Sequence, residues 1–149
     1  MTSYLIDINV WLALTWDLHP QHLPAARWSQ SRRNSSLLFC RFTMLGFLRL
    51  LTNAKVMGGS TVAVGQALKI YDEWIDDPRV GFASEPSGLD LPFREALEPF
   101  VLKPATKAVS DCYLVALAGL TGAHLATFDR GLASNARLQR VPITLLAPS

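Results

Sequence analysis

Cysteine and histidine are scarce: two cysteines, Cys40 and Cys112, and three histidines occur in 149 residues. The cysteines are far apart and match no metal-ligand spacing, so both read as small buried hydrophobes of a reducing compartment. His19, His22 and His124 form no metal-like pattern. No apolar run reaches the ~18–20 residues of a membrane span. The opening Met1-Thr2-Ser3-Tyr4-Leu5-Ile6-Asp7 lacks a basic n-region and meets an acid almost at once, unlike a secretory signal. A cytoplasmic chain with no membrane partner is the expectation. Charge is also sparse, at 17% of residues with a formal net of +2. That net gains meaning only if the acids gather in one site, leaving the rest of the surface more basic than the total suggests.

Half of the residues are hydrophobic, a globular balance. A chain of this length is expected to form one domain over 1–149, burying about 68–70% of its unfolded surface without a covalent staple. There is no internal repeat, low-complexity tract or linker. Tyr4-Leu5-Ile6 suits a buried central strand, and Val10, Trp11, Ala13 and Leu14 then fall at helical spacing. A second helix is predicted over about Gln21–Ser31, and a strand over Leu37–Cys40. Thr43 reads as the N-cap of a helix ending near Asn53. After the loop Gly58–Thr61 a longer helix carries Leu68, Tyr71, Trp74 and Ile75 and closes at Asp76-Asp77-Pro78. Val80–Ala83 is a weaker strand, and Leu89–Phe100 is predicted helical within the limits set by Pro92 and Pro99. Val109-Ser110-Asp111-Cys112 reads as the opening of an apolar helix stopped by Gly122. Strands at His124–Phe128 and Ile143–Leu146 follow. Short apolar strands alternating with helices predict an α/β fold with a mostly parallel sheet and helices on both faces.

In such sheets ligands bind outside the carboxyl ends of the strands, near a topological switch point. Asp7 follows the first strand, Asp129 follows the strand ending at Phe128, and Asp111 starts the helix leading into that strand. Connectivity therefore carries all three to one edge. Each has an ordinary alternative: an N-cap for Asp7, a favourable helix-dipole position for Asp111, an Asx-turn for Asp129. Together they favour a site. Gathered carboxylates repel one another unless a cation sits among them, and an all-oxygen set suits Mg²⁺ or Mn²⁺. Such an ion assists attack on phosphodiesters, so a nucleic-acid substrate is expected.

Leu5-Ile6-Asp7-Ile8-Asn9-Val10, Asp111-Cys112-Tyr113-Leu114-Val115-Ala116, Ala126-Thr127-Phe128-Asp129-Arg130-Gly131 and the helix Thr43–Asn53 with Arg49 occur in this order. The ordered set resembles PIN-domain ribonucleases, the toxin half of VapBC toxin–antitoxin pairs. The resemblance implies a PIN-like three-layer fold, an endoribonuclease with one or two metal ions, and a small antitoxin (VapB-type) lying across the site. It casts Asp7, Asp111 and Asp129 as metal ligands and catalytic acids, and Asn9 and Thr127 as supporting or RNA-facing polar groups. One departure stands out. The family's second acid would fall at Gly46, which has no side chain, and Glu85, just after Val80–Ala83, is the stand-in, with a solvated loop glutamate as its alternative. Gly46 itself permits close helix packing.

Among the basic residues, which include Arg32, Arg33, Arg41, Lys103 and Lys107, only Arg130 beside Asp129 is expected to face substrate. Trp11, Trp16, Trp28 and Trp74 read as core or partner interface. Apolar surface on the early helices makes a homodimer the expected assembly. Two rival functions come from other classes. A catalytically degenerate module that binds RNA or an antitoxin is motivated by Gly46. A phosphate-receiver domain is disfavoured, because no mid-chain strand ends in a phosphorylatable aspartate.

Overall fold

In a computed structural model, which describes residues 1–147, five short strands form one sheet. They are β1 (Ser3–Ile6), β2 (Ser36–Phe39), β3 (Val80–Phe82), β4 (His124–Thr127) and β5 (Ile143–Leu145). Their order is β3-β2-β1-β4-β5, and every pairing is parallel. The eight α-helices of the described residues are α1 (Ile8–Thr15), α2 (His22–Gln30), α3 (Arg41–Leu51), α4 (Ala54–Met57), α5 (Val64–Ile75), α6 (Asp90–Leu97), α7 (Thr106–Thr121) and α8 (Arg130–Leu138). The predicted mostly parallel α/β architecture is the one observed.

Alternation along the strands builds two cores. Tyr4 and Ile6 of β1, Leu37 and Phe39 of β2 and Ala126 of β4 pack with Val10, Trp11, Phe47, Leu51 and Tyr71 from α1, α3 and α5. Leu5 and Leu125 face the other way, onto Leu114, Val115 and Leu117 of α7 and Leu132 and Ala136 of α8. Successive strand residues point to opposite faces, so a sheet covered on both sides reads as an unbroken apolar run. Trp11 lies fully buried, stacked on Phe39 at 3.8 Å between ring centroids. Burying a side chain such as Phe39 contributes about 1.5–3 kcal/mol. Cys40 and Cys112 are buried and unbridged, as their surroundings implied. No helix is long and apolar enough to cross a membrane among the described residues.

Several local readings are corrected. Thr43 does not cap α3, because the helix starts two residues earlier. Cys40 holds the cap position, and Thr43, on the first turn, accepts from the Cys40 amide at 2.8 Å. α7 begins at Thr106, five residues before Asp111. Nothing from Thr106 to Val109 breaks a helix, and Pro104 marks the real boundary. α8 fills the stretch between Asp129 and Pro142, where no helix was predicted. Gly122 ends α7 as expected, in the left-handed conformation at φ 74° that favours glycine.

Candidate active site at the switch point of the sheet

The chain runs outward from β1 to β2 and β3 on one side and to β4 and β5 on the other, so the switch point lies between β1 and β4. There the carboxyl ends diverge and leave a crevice. Asp7 leaves β1 and Asp129 leaves β4, two strands paired in register at Ile6 and Ala126. The Asp7 amide continues that ladder, donating to the Ala126 carbonyl at 3.0 Å. Asp111 comes from the second turn of α7. The three acids line one cavity of about 310 Å³, together with Asn9, Gly46, Arg49, Asn53 and Lys107.

Both strand-end acids also cap helices. Asp7 accepts from the Ile8 amide at 2.8 Å, and Asp129 accepts from the amides of Gly131 and Leu132 at 2.7 and 3.2 Å. The capping reading holds for both, and it leaves each acid at the crevice, because a helix that starts where a strand ends needs its cap there. Thr127 is fully buried and links them. Its hydroxyl donates to Asp7 Oδ2 at 2.6 Å and accepts from the Asp129 amide at 2.9 Å. It orients Asp7 from behind and cannot face RNA.

Lys107 is the basic residue of the acid cluster. Its Nζ donates to Asp111 Oδ2 at 2.8 Å and lies 2.5 Å from Asp129 Oδ2. It stands one helical turn before Asp111, the spacing that brings side chains together on one face. Arg130 is exposed and does not line the cavity. The signal for Lys107 was its i, i+4 relation to Asp111, hidden by starting α7 too late.

Electrostatics follow from this arrangement. Burial raises the pKa of Asp7. The bonds from Thr127 and Ile8 oppose the rise, and the charges of Asp111 and Asp129 add to it. Burial likewise raises Asp111, against the pull of Lys107. Burial works in the same sense on Asp129, but Lys107 and the α8 amides outweigh it and its pKa is lowered. For Lys107 partial burial disfavours the ammonium, yet its two carboxylate partners prevail and its pKa is raised.

Glu85 is not brought to this cavity. It is exposed, and the Tyr113 hydroxyl donates to its Oε1 at 3.1 Å. The cause is strand order: β2 separates β3 from β1, a displacement of about 9–10 Å at ordinary strand spacing. The Tyr113 phenol itself is pushed up to about 12, by burial first and by Cys40 and Glu85 second. Among the described residues the acids that line the cavity are Asp7, Asp111 and Asp129, and none stands in for the side chain missing at Gly46. A β-carbon there would lie 2.2 Å from Ile8 Cδ1, so the isoleucine occupies the space an acidic side chain would leave by.

The donor set is all carboxylate oxygen, chemically suited to a hard divalent cation, and the Lys107 ammonium already bridges two of its members, Asp111 and Asp129. Among the described residues no group of three or more acids, histidines or cysteines is arranged to hold a metal ion as it stands. Carboxylate oxygen is the donor type that such an ion takes, and Oδ2 of both Asp111 and Asp129 is engaged by the lysine.

No family model matches the chain. It is similar to Ribonuclease VapC41 of Mycobacterium tuberculosis, 36% identical over 132 residues that cover 84% of this chain and 88% of that one. The chain belongs to the VapC ribonuclease family. Ribonuclease VapC39 of the same organism is 32% identical over 142 residues, with 89% and 92% covered. The solved VapBC2 of Rickettsia felis, bound to a DNA fragment from their promoter, superposes with a TM-score of 0.66 at 10% identity, covering 98% of this chain and 100% of that one. VapC20 of Mycobacterium tuberculosis, a Sarcin-Ricin loop cleaving toxin, gives 0.64 at 17% identity, with 88% and 93% covered. These two likenesses support the fold alone, and it is the PIN-like VapC fold that the ordered motifs implied.

Proposed function

We propose that the chain is an endoribonuclease that hydrolyses RNA phosphodiester bonds with Mg²⁺ or Mn²⁺ held among Asp7, Asp111 and Asp129. The observation that carries this reading is the convergence of three carboxylates, from β1, α7 and β4, on one cavity at the switch point. The names of its relatives agree with it. A divalent ion there supplies Lewis-acid polarisation of the phosphodiester. Thr127 fixes the Asp7 carboxylate, and the amides of α8 fix Asp129, so two ligands are held before substrate arrives. Arg49 and Asn9 border the same cavity and are placed for phosphate and sugar contacts. The protein partner under this reading is a small antitoxin of the VapB type. Leu23 of α2 and Leu45 of α3, 59% and 51% exposed, leave apolar surface for a second copy of the chain.

A non-cutting module is the second reading, favoured by Ile8 filling the space beside Gly46 and by Lys107 pairing with two of the three acids. One experiment separates the two. Purified protein is incubated with an RNA panel in Mg²⁺ or Mn²⁺, with an EDTA control and with Asp7→Asn. Metal-dependent cleavage that vanishes in the variant is the expected result. RNA binding without cleavage in any metal would move the conclusion to the second reading.

A further inference from the structure

Lys107 is built into the acid cluster more firmly than a surface lysine. Each of its two carboxylate contacts is a charge-assisted hydrogen bond, the strong kind. Asp129 Oδ1 is already taken by the amides of Gly131 and Leu132, so Oδ2 is the oxygen left to meet a cation, and the ammonium rests on it. Asp111 also presents Oδ2 to the same ammonium. Gly131 keeps the pocket tight: a β-carbon there would lie 3.1 Å from Asp129 Oδ1 and 3.9 Å from Lys107 Nζ. Yet the lysine side chain is 61% exposed. It borders a second hollow on the other side of Asp111 and Asp129, which also line it together with Thr106, Ser134 and Asn135, and its side chain can swing toward those polar residues.

We propose that Lys107 is a tethered counter-ion of the metal site: its ammonium holds Asp111 and Asp129 in the metal-free protein and must leave them before a divalent cation binds. The inference rests on the metal-site reading above. Ammonium and metal need the same two oxygens and repel each other, so each excludes the other. The metal-free site is thereby relieved of like-charge repulsion, at the expense of metal affinity. With no acid at position 46 to add a further negative charge, the competition falls on a set of three carboxylates.

The test is Mn²⁺ binding to the full chain, by titration calorimetry and by the electron paramagnetic resonance of free Mn²⁺, for wild type, Lys107→Met, Lys107→Gln, Lys107→Arg and Asp111→Asn. Lys107→Met and Lys107→Gln are expected to bind Mn²⁺ about tenfold more tightly, the scale of one hydrogen bond to a charged group. Both should melt below wild type in EDTA and gain more from Mn²⁺, while Lys107→Arg stays near wild type. On the unaltered protein, the Lys107 ammonium resonance should be slowed in exchange without metal and lost on adding Mg²⁺. Equal or weaker Mn²⁺ binding by the neutral variants, with wild type still binding, overturns the role of Lys107 and leaves the metal site standing. Persistence of the ammonium signal in saturating Mg²⁺ does the same. Absence of Mn²⁺ binding in every protein overturns the metal-site reading itself.

Discussion

Asp7 carries conflicting demands at a single carboxylate. It caps α1 through Oδ1, accepts the Thr127 hydroxyl through Oδ2, and stands near two further acids in a buried place. Burial dominates, so its pKa in the folded protein is raised above the ordinary 3.8. The sign of the consequence follows from linkage. Between the unfolded and folded values the folded chain keeps a proton that the unfolded chain has lost, so stability falls as pH rises through that window. Above the folded value the whole cost of the buried charge is present. Asp7→Asn removes that charge and retains an oxygen for one of the two bonds. Chemical denaturation in EDTA should show the variant at least as stable as wild type at neutral pH, with its advantage shrinking as pH falls toward 3.8. Cooperative loss of folding in Asp7→Asn at neutral pH would mean that the carboxylate is there for structure, not for a cation.

The pairing of α1 with α3 decides what the site lacks. Gly46 lies where α3 meets Ile8 at the start of α1, and Ile8 Cδ1 and Cγ1 would stand 2.2 and 2.9 Å from any β-carbon. Restoring an acid by Gly46→Glu therefore forces the isoleucine aside and is expected to cost about 1–3 kcal/mol of stability. In an Ile8→Ala background the same change should cost at least ~0.5 kcal/mol less, the signature of residues in contact, measured by urea unfolding of the four proteins. Strict additivity would show that Ile8 yields freely and that the absent acid has another origin. The gap at position 46 was legible in the sequence as a missing side chain, whereas its filling by Ile8 was not, since helix contacts leave no mark in local spacing. The five strands were legible as short apolar runs, and β1 and β4 stood out because each runs into an aspartate. α8 was not: Asp129-Arg130-Gly131 resembles a turn, and only the bonds from the Gly131 and Leu132 amides show that the aspartate starts a helix. Starting α7 at Val109 hid Lys107 for a similar reason, since Ser110 and Asp111 look like capping residues while Thr106–Ala108 carry no signal of their own. Glu85 failed at a longer range, through a strand order that no local pattern encodes.

At the scale of the whole molecule the site belongs to the folded chain alone. Its acids are contributed by positions 7, 111 and 129, and only the sheet order brings the first and last to neighbouring strands. Two of them, Asp7 and Asp111, are held above their ordinary pKa by burial, so the metal-free fold carries unfavourable charge at its switch point. An ion that binds there and has no affinity for the unfolded chain must add to stability, by about 2.7 kcal/mol at a hundredfold excess over its Kd. For a domain of this size that corresponds to a rise in Tm of roughly 5–10 °C. Mg²⁺ or Mn²⁺ should produce it, EDTA should reverse it, and Asp111→Asn should abolish it. The rise should also be smaller at pH 5 than at pH 7.5, because carboxylates with raised pKa values must give up their protons to become ligands. A rise of equal size in Asp111→Asn would place the ion elsewhere on the surface. A pH-independent rise would mean that the oxygens it uses are ordinary exposed carboxylates, and the cavity between β1 and β4 would then have to act on RNA through Lys107 and Arg49 alone.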